Sequence, residues 1–428
     1  LFLLGHVPVL ASAEEKAEKE EARAVVASCV TAEGALVQRQ TTDKPWQFVA
    51  KNESIYSGDQ LVGGADVALV SKNKAVRLEF VGDISGTSPY PIVETAVVLH
   101  ENPKMDLDLT FERGRINLTN LKTRGPACVH VRIQNRLAGD ITLTGPGASV
   151  TVELYGRWLP GTRFRKEPKP GEGPAMALIV LALKGEVVVK GPKHEFTLKA
   201  PPGHALIQGD DLMDPDAIMP NYLKELPAWA KSGADTEEAK MRRAAIAKLR
   251  RLAMSKSIGE ALDEFVKSDN KAARRAAVNV MAALDDLPRL GKALQTTKHA
   301  DVWDNAVIAL RAWIGRGPGQ DQKLYKALVE QYKYPAREAA IVLQLLHGFS
   351  DDDLAHPDTY ESLLDYLECD RLSIRGLAIW HLSRLVPAGK KIGFNPTASK
   401  EERERAAKAW RKLIPEGKVP TKGSSDGK

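Results

Sequence analysis

Hydrophobic and polar positions along the chain follow two different periods. From Val25 to about Leu206 they alternate, as in strands with one buried and one wet face. Val67 and Leu69, then Val76, Leu78 and Phe80, are interleaved with Ala68, Arg77 and Glu79, and Lys72-Asn73 supplies a turn, so the segment predicts a hairpin. Further strands are expected at Leu107–Phe111, Arg115–Leu118, Val129–Ile133, Ile141–Thr144, Ser149–Leu154, Met176–Leu183, Glu186–Val189 and Glu195–Leu198. Lys184-Gly185 and Gly191-Pro192 read as turns between the last three. Many short strands with Gly and Pro punctuation predict an all-β sandwich, roll or solenoid.

From about Leu226 the period lengthens to that of a helix. Four segments repeat a small residue followed by large aliphatics, beginning at Ala277, Ala306, Ala340 and Ala378. Arginines precede or open them: Arg274 and Arg275, Arg337, Arg375. A small leading side chain lets two helices approach closely, and stacked helix pairs with this spacing make an α-solenoid. On this reading Ala306 is a close-packing position, while Arg311, five residues on, points to the other side. The fold expected is multidomain β plus α. A leader occupies 1–24, an all-β domain 25–208, a linker 209–228, a helical domain 229–414 and a disordered tail 415–428.

At 428 residues the chain is too long for one core. Hydrophobic residues at 43% and charged residues at 27% exclude a disordered chain and a multispan membrane protein. Charge is uneven: residues 1–220 carry 25 Lys and Arg against 27 Asp and Glu, the remainder 36 against 28. The helical half therefore holds the positive excess. The three cysteines, Cys29, Cys128 and Cys369, have no metal-finger spacing. Cys29 and Cys128 both fall on expected strands, as buried thiols or as a cross-sheet pair. The first residues, Leu1 to Leu10, are largely apolar and run into Ala11-Ser12-Ala13 and then Glu14-Glu15. That order reads as the end of a secretory signal peptide cleaved after Ala13, or as the tail of a membrane anchor, and it predicts an exported, periplasmic or envelope address.

Several β motifs have a familiar form: Val30-Thr-Ala-Glu-Gly34 opening a strand, Trp46 after a turn, Ser57-Gly58-Asp59, the paired strands to Phe80, and Leu109-Thr-Phe-Glu-Arg-Gly114-Arg115-Ile116. In these, residues 25–120 resemble the FecR-like domain of bacterial envelope proteins. The helical half is similar to HEAT-type repeats, including its closing segment from Phe394 to Arg403 and Trp410-Arg411. The resemblance implies an envelope protein. In its strongest form it implies a signalling relay to a sigma-factor regulator.

Catalytic motifs are missing from the sequence. There is no His-Glu-x-x-His and no Walker A segment; Gly315-Arg-Gly-Pro-Gly319 follows a helix and reads as a turn. Asp210, Asp211, Asp214 and Asp216 lack the Gly and Glu of an EF-hand loop and read as a solvated linker. Asp351-Asp352-Asp353 reads as helix-capping charge. No cofactor, metal or small-molecule substrate is expected.

Two surfaces remain as interaction candidates. The loop after Tyr155 sets aromatics beside cations: Trp158, Arg163, Phe164, Arg165 and Lys166. Such a mix suits a protein interface or an oxyanion-bearing polymer, because arginine forks bind oxyanions and aromatics stack, although Trp158 could equally be tucked into a core. The helix Lys240–Lys256 carries seven basic residues, among them Arg242, Arg243, Arg250 and Arg251. Met241, Ala245, Leu249 and Leu252 line its other face, so it could rest on an anionic surface. The function expected is a non-enzymatic envelope scaffold or binding protein. Its partner would be a protein or an anionic envelope polymer, with membrane-surface contact as a further option. A nucleic-acid partner fits poorly with export, and the remaining alternatives are the relay and a hydrolase with an atypical site.

Overall fold

The computed structural model describes residues 23–31, 36–64, 66–82, 88, 90–92, 94–134, 137–200, 204–209, 220–230, 236–296 and 299–420. The expected leader up to residue 22, the Asp210–Asp216 cluster and the tail from 421 lie outside the described residues.

The β region is two sheets that share two long strands. One sheet runs β4 (Ser54–Tyr56), β1 (Val25–Cys29), β6 (Val67–Ser71), β7 (Val76–Phe80), β9 (Leu107–Asn120), β12 (Ser149–Arg157), β13 (Ala175–Lys190), β15 (His204–Gly209) and β16 (Pro220–Leu223). The other runs β3 (Gln47–Phe48), β2 (Leu36–Arg39), β5 (Gln60–Gly63), β8 (Thr95–Leu99), β9, β10 (Ala127–Ile133), β11 (Leu137–Leu143), β13 and β14 (Glu195–Ala200). The hairpin at β6 and β7 forms as its alternation requires, with Val67, Leu69, Val76, Leu78 and Phe80 all buried. Ala68 is buried as well, so that hairpin is drier than the alternation suggests.

The long strands correct the sequence reading. Leu107–Phe111 and Arg115–Leu118 are one strand, β9, and Met176–Leu183 and Glu186–Val189 are one strand, β13. Gly114 (φ 99°) and Gly185 (φ 73°) do not close hairpins. They turn corners at which each strand leaves one sheet and joins the other, a bend that a positive φ permits and a side chain would resist. A Cβ on Gly114 would lie 2.4 Å from the Glu94 carbonyl oxygen. The apolar faces thus close over one core containing Leu78, Phe80, Leu109, Phe111, Ile116, Val129, Val152 and Val180. Strand structure also extends into the stretch expected as linker, because β16 pairs with β15.

The helical region holds α1 (Glu237–Ser255), α2 (Ile258–Phe265), α3 (Lys271–Ala283), α4 (Leu287–Thr296), α5 (Ala300–Ile314), α6 (Gln320–Glu330), α7 (Ala336–His347), α8 (Asp351–Leu354), α9 (Pro357–Leu367), α10 (Leu372–Leu385) and α11 (Lys400–Leu413). Local chemistry sets several starts. Ser257 with Glu260, Ser350 with Asp353 and Ser399 with Glu402 form capping boxes, and Asn270 caps α3. Helix α3 packs on α1 and α5, α5 on α7, and α7 on α10, with α2, α4, α6 and α9 alternating between them. Ala277, Ala306 and Ala378 are fully buried at these contacts. In α7 the buried small residue is Ala339, not Ala340, a one-residue slip of the repeat. Helix α10 also reaches α4 and α5. Gly376 makes room there, since a Cβ on it would lie 2.2 Å from the Trp303 ring.

Candidate functional site

The functional geometry lies where the two halves meet. β12 ends at Arg157, and its Gly156 crosses Gly315, the C-cap of α5, backbone against backbone. A Cβ on Gly156 would sit 2.0 Å from the Gly315 carbonyl oxygen. Gly315–Gly319 is a turn, as its sequence suggests, and it is also a docking point for the sheet.

From this crossing the chain runs as a strap over the helices. Trp158 is 7% exposed and belongs to the helical core, not the β core. Its Nε1–H donates to the Ile314 carbonyl at 3.1 Å and its ring stacks on His347 at 4.5 Å. His347 is buried and its Nδ1 lies 3.1 Å from the Thr162 carbonyl, which only accepts, so this nitrogen carries the hydrogen. Nε2 faces buried Asp321 at 3.4 Å. The Phe164 amide donates to Gln344 Oε1 at 3.0 Å, and the ring packs 5.3 Å from that of Tyr325. Of the two placements the sequence leaves open, an outward face or a Trp158 tucked into a core, Trp158 takes the second, and Phe164 turns into the helices with it. Helix tops α5, α6 and α7 offer apolar surface that only the folded chain brings beneath the strap. The cations stay outside: Arg163 pairs with Asp353 at 2.8 Å, Arg165 with Glu172 at 3.3 Å, and Lys166 lies 5.3 Å over the Tyr325 ring.

Beside the strap is an ionic joint. Glu94, just before β8, is buried and accepts from Arg113 Nε at 2.7 Å and from Arg316 Nη2. Arg316 also donates to the Ala282 carbonyl (2.9 Å) and to Asp285 (2.5 Å), and Arg113 to the Ala283 carbonyl at 3.1 Å. These carbonyls close α3, so arginines from both halves cap one helix end. Burial pushes the Glu94 carboxyl up, but the Arg316 and Arg113 charges outweigh it and hold it below the usual carboxylate range.

The basic helix α1 is part of the same junction. Arg243 pairs with Asp66 at 2.8 Å and Arg250 donates to the Val49 carbonyl at 3.3 Å, both in the β region. Arg242 pairs with Glu238 one turn back. Arg251 is exposed. Ala245 and Leu249 are buried as the helical face predicts, whereas Met241 is 53% exposed.

Sequence reasoning missed a ladder of arginines and rings that crosses from α10 over α5 to β12. The Arg384 guanidinium lies 3.8 Å from the Trp380 ring centre, and that of Arg311 lies 5.5 Å from the same ring. Tyr155 stacks on Tyr90 at 4.9 Å, and Arg157 lies 5.6 Å from the Tyr90 ring. Burial raises the Tyr155 hydroxyl to about 12, partly offset by the Arg311 charge beside it. Arg311, expected only to point away from the Ala306 contact, is half-buried and donates to the Leu346 carbonyl at 2.7 Å. The members of the ladder come from four separate stretches of chain, and no local motif announces them. A cleft lined by Pro91, Ile92, Glu112, Tyr155 and Ala312 separates the ladder from the joint.

The three cysteines are free, and burial pushes the Cys29 thiol up. Among the described residues no group of three or more His, Cys, Asp or Glu side chains comes together as a metal site, and no helix is long and apolar enough to cross a membrane. Compared with family models, curated proteins and solved structures, the chain matches none.

Proposed function

We propose that this chain is a non-enzymatic cell-envelope scaffold, in which a FecR-like β domain and a HEAT-like helical array jointly present a surface to an anionic envelope polymer. The observation that carries this reading is the junction. Buried charge and aromatic packing at Glu94, Arg113, Arg316 and Trp158 are committed to holding two interaction-type folds against each other.

The repeat reading has support from one recurring contact. In α3 and in α10 the fourth residue is a buried arginine whose Nη1 donates to the carbonyl six residues back, Arg274 to Ser268 (2.7 Å) and Arg375 to Cys369 (2.6 Å). The envelope address rests on the Ala11-Ser12-Ala13 triplet, and the polymer preference on the positive excess after residue 220.

Two measurements test the reading. Cells producing the protein from its complete gene are fractionated and probed with an antibody, and the protein should appear with the envelope. Purified protein is then sedimented with isolated envelopes and should pellet in a salt-sensitive manner. Recovery in the cytosol, or failure to pellet at low salt, overturns it.

A further inference from the structure

We infer that the ladder Arg384–Trp380–Arg311–Tyr155–Tyr90–Arg157 is a binding track for a linear acidic glycan, whose carboxylate or phosphate groups are taken by the three guanidinium edges. This deepens the polymer-binding reading above and rests on it.

The chemistry follows from how the rings are used. A guanidinium laid over an aromatic ring is held flat and loses little freedom on binding, while its N–H edge stays directed outward as a fork for an oxyanion. Arg384 and Arg311 share Trp380, and Arg157 sits over Tyr90, which is itself stacked on Tyr155. Among the described residues none of the three arginines forms an ion pair. Their donors in use go to backbone carbonyls: Arg311 to Leu346 and Arg384 to its own helix at Trp380. The Asp304 carboxylate acts on the Arg384 charge without forming an ion pair with it. Arg384 is exposed, and Arg157, Arg311, Trp380, Tyr155 and Tyr90 are all half-buried.

The pattern selects among polyanions. Three cations separated by rings suit oxyanions on successive or alternate units of a chain better than one small anion. The rings already seat guanidiniums and one another, which leaves stacking of nucleobases a minor contribution and sets this track apart from a single-strand nucleic-acid channel. Half-buried Trp380, Tyr155 and Tyr90 set the cations apart with apolar surface against which the C–H groups of a sugar can lie.

The test uses the full purified chain and three labelled probes of equal length: oligogalacturonate, phosphorylated dextran and neutral dextran. Binding is read by fluorescence anisotropy at two salt concentrations. We expect one or both acidic probes to bind and dextran not to bind, and the better acidic probe identifies the oxyanion. Arg157→Gln and Arg384→Gln should each weaken binding about 5-fold, and the double variant about 20-fold or more. Lys190→Gln and Lys199→Gln, which remove equal charge at exposed positions outside the ladder and both candidate surfaces, should change it less than 2-fold. Thermal melts of each variant separate lost binding from lost folding. Should an acidic probe bind while the ladder variants behave like the controls, the ladder assignment falls and polymer binding stands. If no acidic probe binds the wild type, the glycan assignment falls, and the envelope reading is judged by fractionation and by sedimentation with envelopes. A labelled single-stranded DNA oligomer binding more tightly than either acidic glycan would also overturn the assignment.

Discussion

Trp158 and Glu94 fasten the same two halves by opposite means. Trp158 is a large apolar plug from the β side seated in the helical core, with a single hydrogen bond to satisfy its indole. Glu94 is a charge taken out of water and tolerable only because Arg113 and Arg316 reach it from both sides. The plug gains from burial itself. The ionic joint gains little net energy and is instead demanding, since any missing partner leaves an uncompensated buried charge. Together they hold the halves firmly and in one orientation, which packing alone would leave less defined.

The largest expected effect is on the plug. Trp158→Ala should destabilise the protein by about 3–5 kcal/mol through a cavity and an emptied seat beside His347. Urea denaturation measures it, and Trp158→Phe should recover most of the loss. A cost below about 1 kcal/mol for the alanine variant would mean the strap is not a fastening.

Glu94→Gln should cost about 3 kcal/mol, because Arg113 and Arg316 lose the carboxylate that neutralises them. Its effect should shrink as the pH falls below that of Glu94 titration, whereas that of Trp158→Ala should persist. If both variants lose their effect together in acid, the two fastenings are not distinct.

A third expectation separates the joint from the helical core. His381 is buried, donates to the Leu345 carbonyl at 2.7 Å, and burial lowers it from its ordinary 6.5 to about 4. Its folded value lies below its unfolded value, so the neutral ring contributes fully above pH 6.5 and the contribution is lost as the pH falls toward 4. Stability should drop by about 2 kcal/mol between pH 7 and pH 5. Glu94 is likewise depressed, but from a value near 4.5, so its loss begins only at lower pH. His381→Phe should flatten the curve between pH 7 and 5. A curve that stays as steep in that variant points to another group.

The smallest effect belongs to the strap's outer face. Arg163 is 64% exposed where it pairs with Asp353. Arg163→Ala should stay within about 0.5 kcal/mol by thermal melt, because solvent screens the pair. A larger cost would place part of the fastening outside the plug.

The β hairpin at Val67–Phe80, the buried alanines Ala277, Ala306 and Ala378, and the helix-start charge at Asp351–Asp353 were legible because each depends on residues a few positions apart. Gly114 and Gly185 were visible as breaks but not as corners, since a turn and a change of sheet ask the same positive φ of the chain. The candidate surface was legible as chemistry, and the sequence leaves its placement open between an outer face and a core. Trp158, Phe164, Arg243 and Arg250 have the composition of an interface, and they make one inside the molecule.

The sequence by itself determined the two periods, the order of β before α, the small-residue rhythm of the helices and the uneven charge, because periodicity and composition are local properties of a chain. Only the tertiary structure decided which partners those residues found. Glu94 meets Arg316 across 222 positions and Trp158 meets Ile314 across 156. The ladder from Arg384 to Arg157 exists only where α10, α5 and β12 converge. Charge and aromatic pairing act over a few ångströms of space, and separation along the chain carries no trace of them.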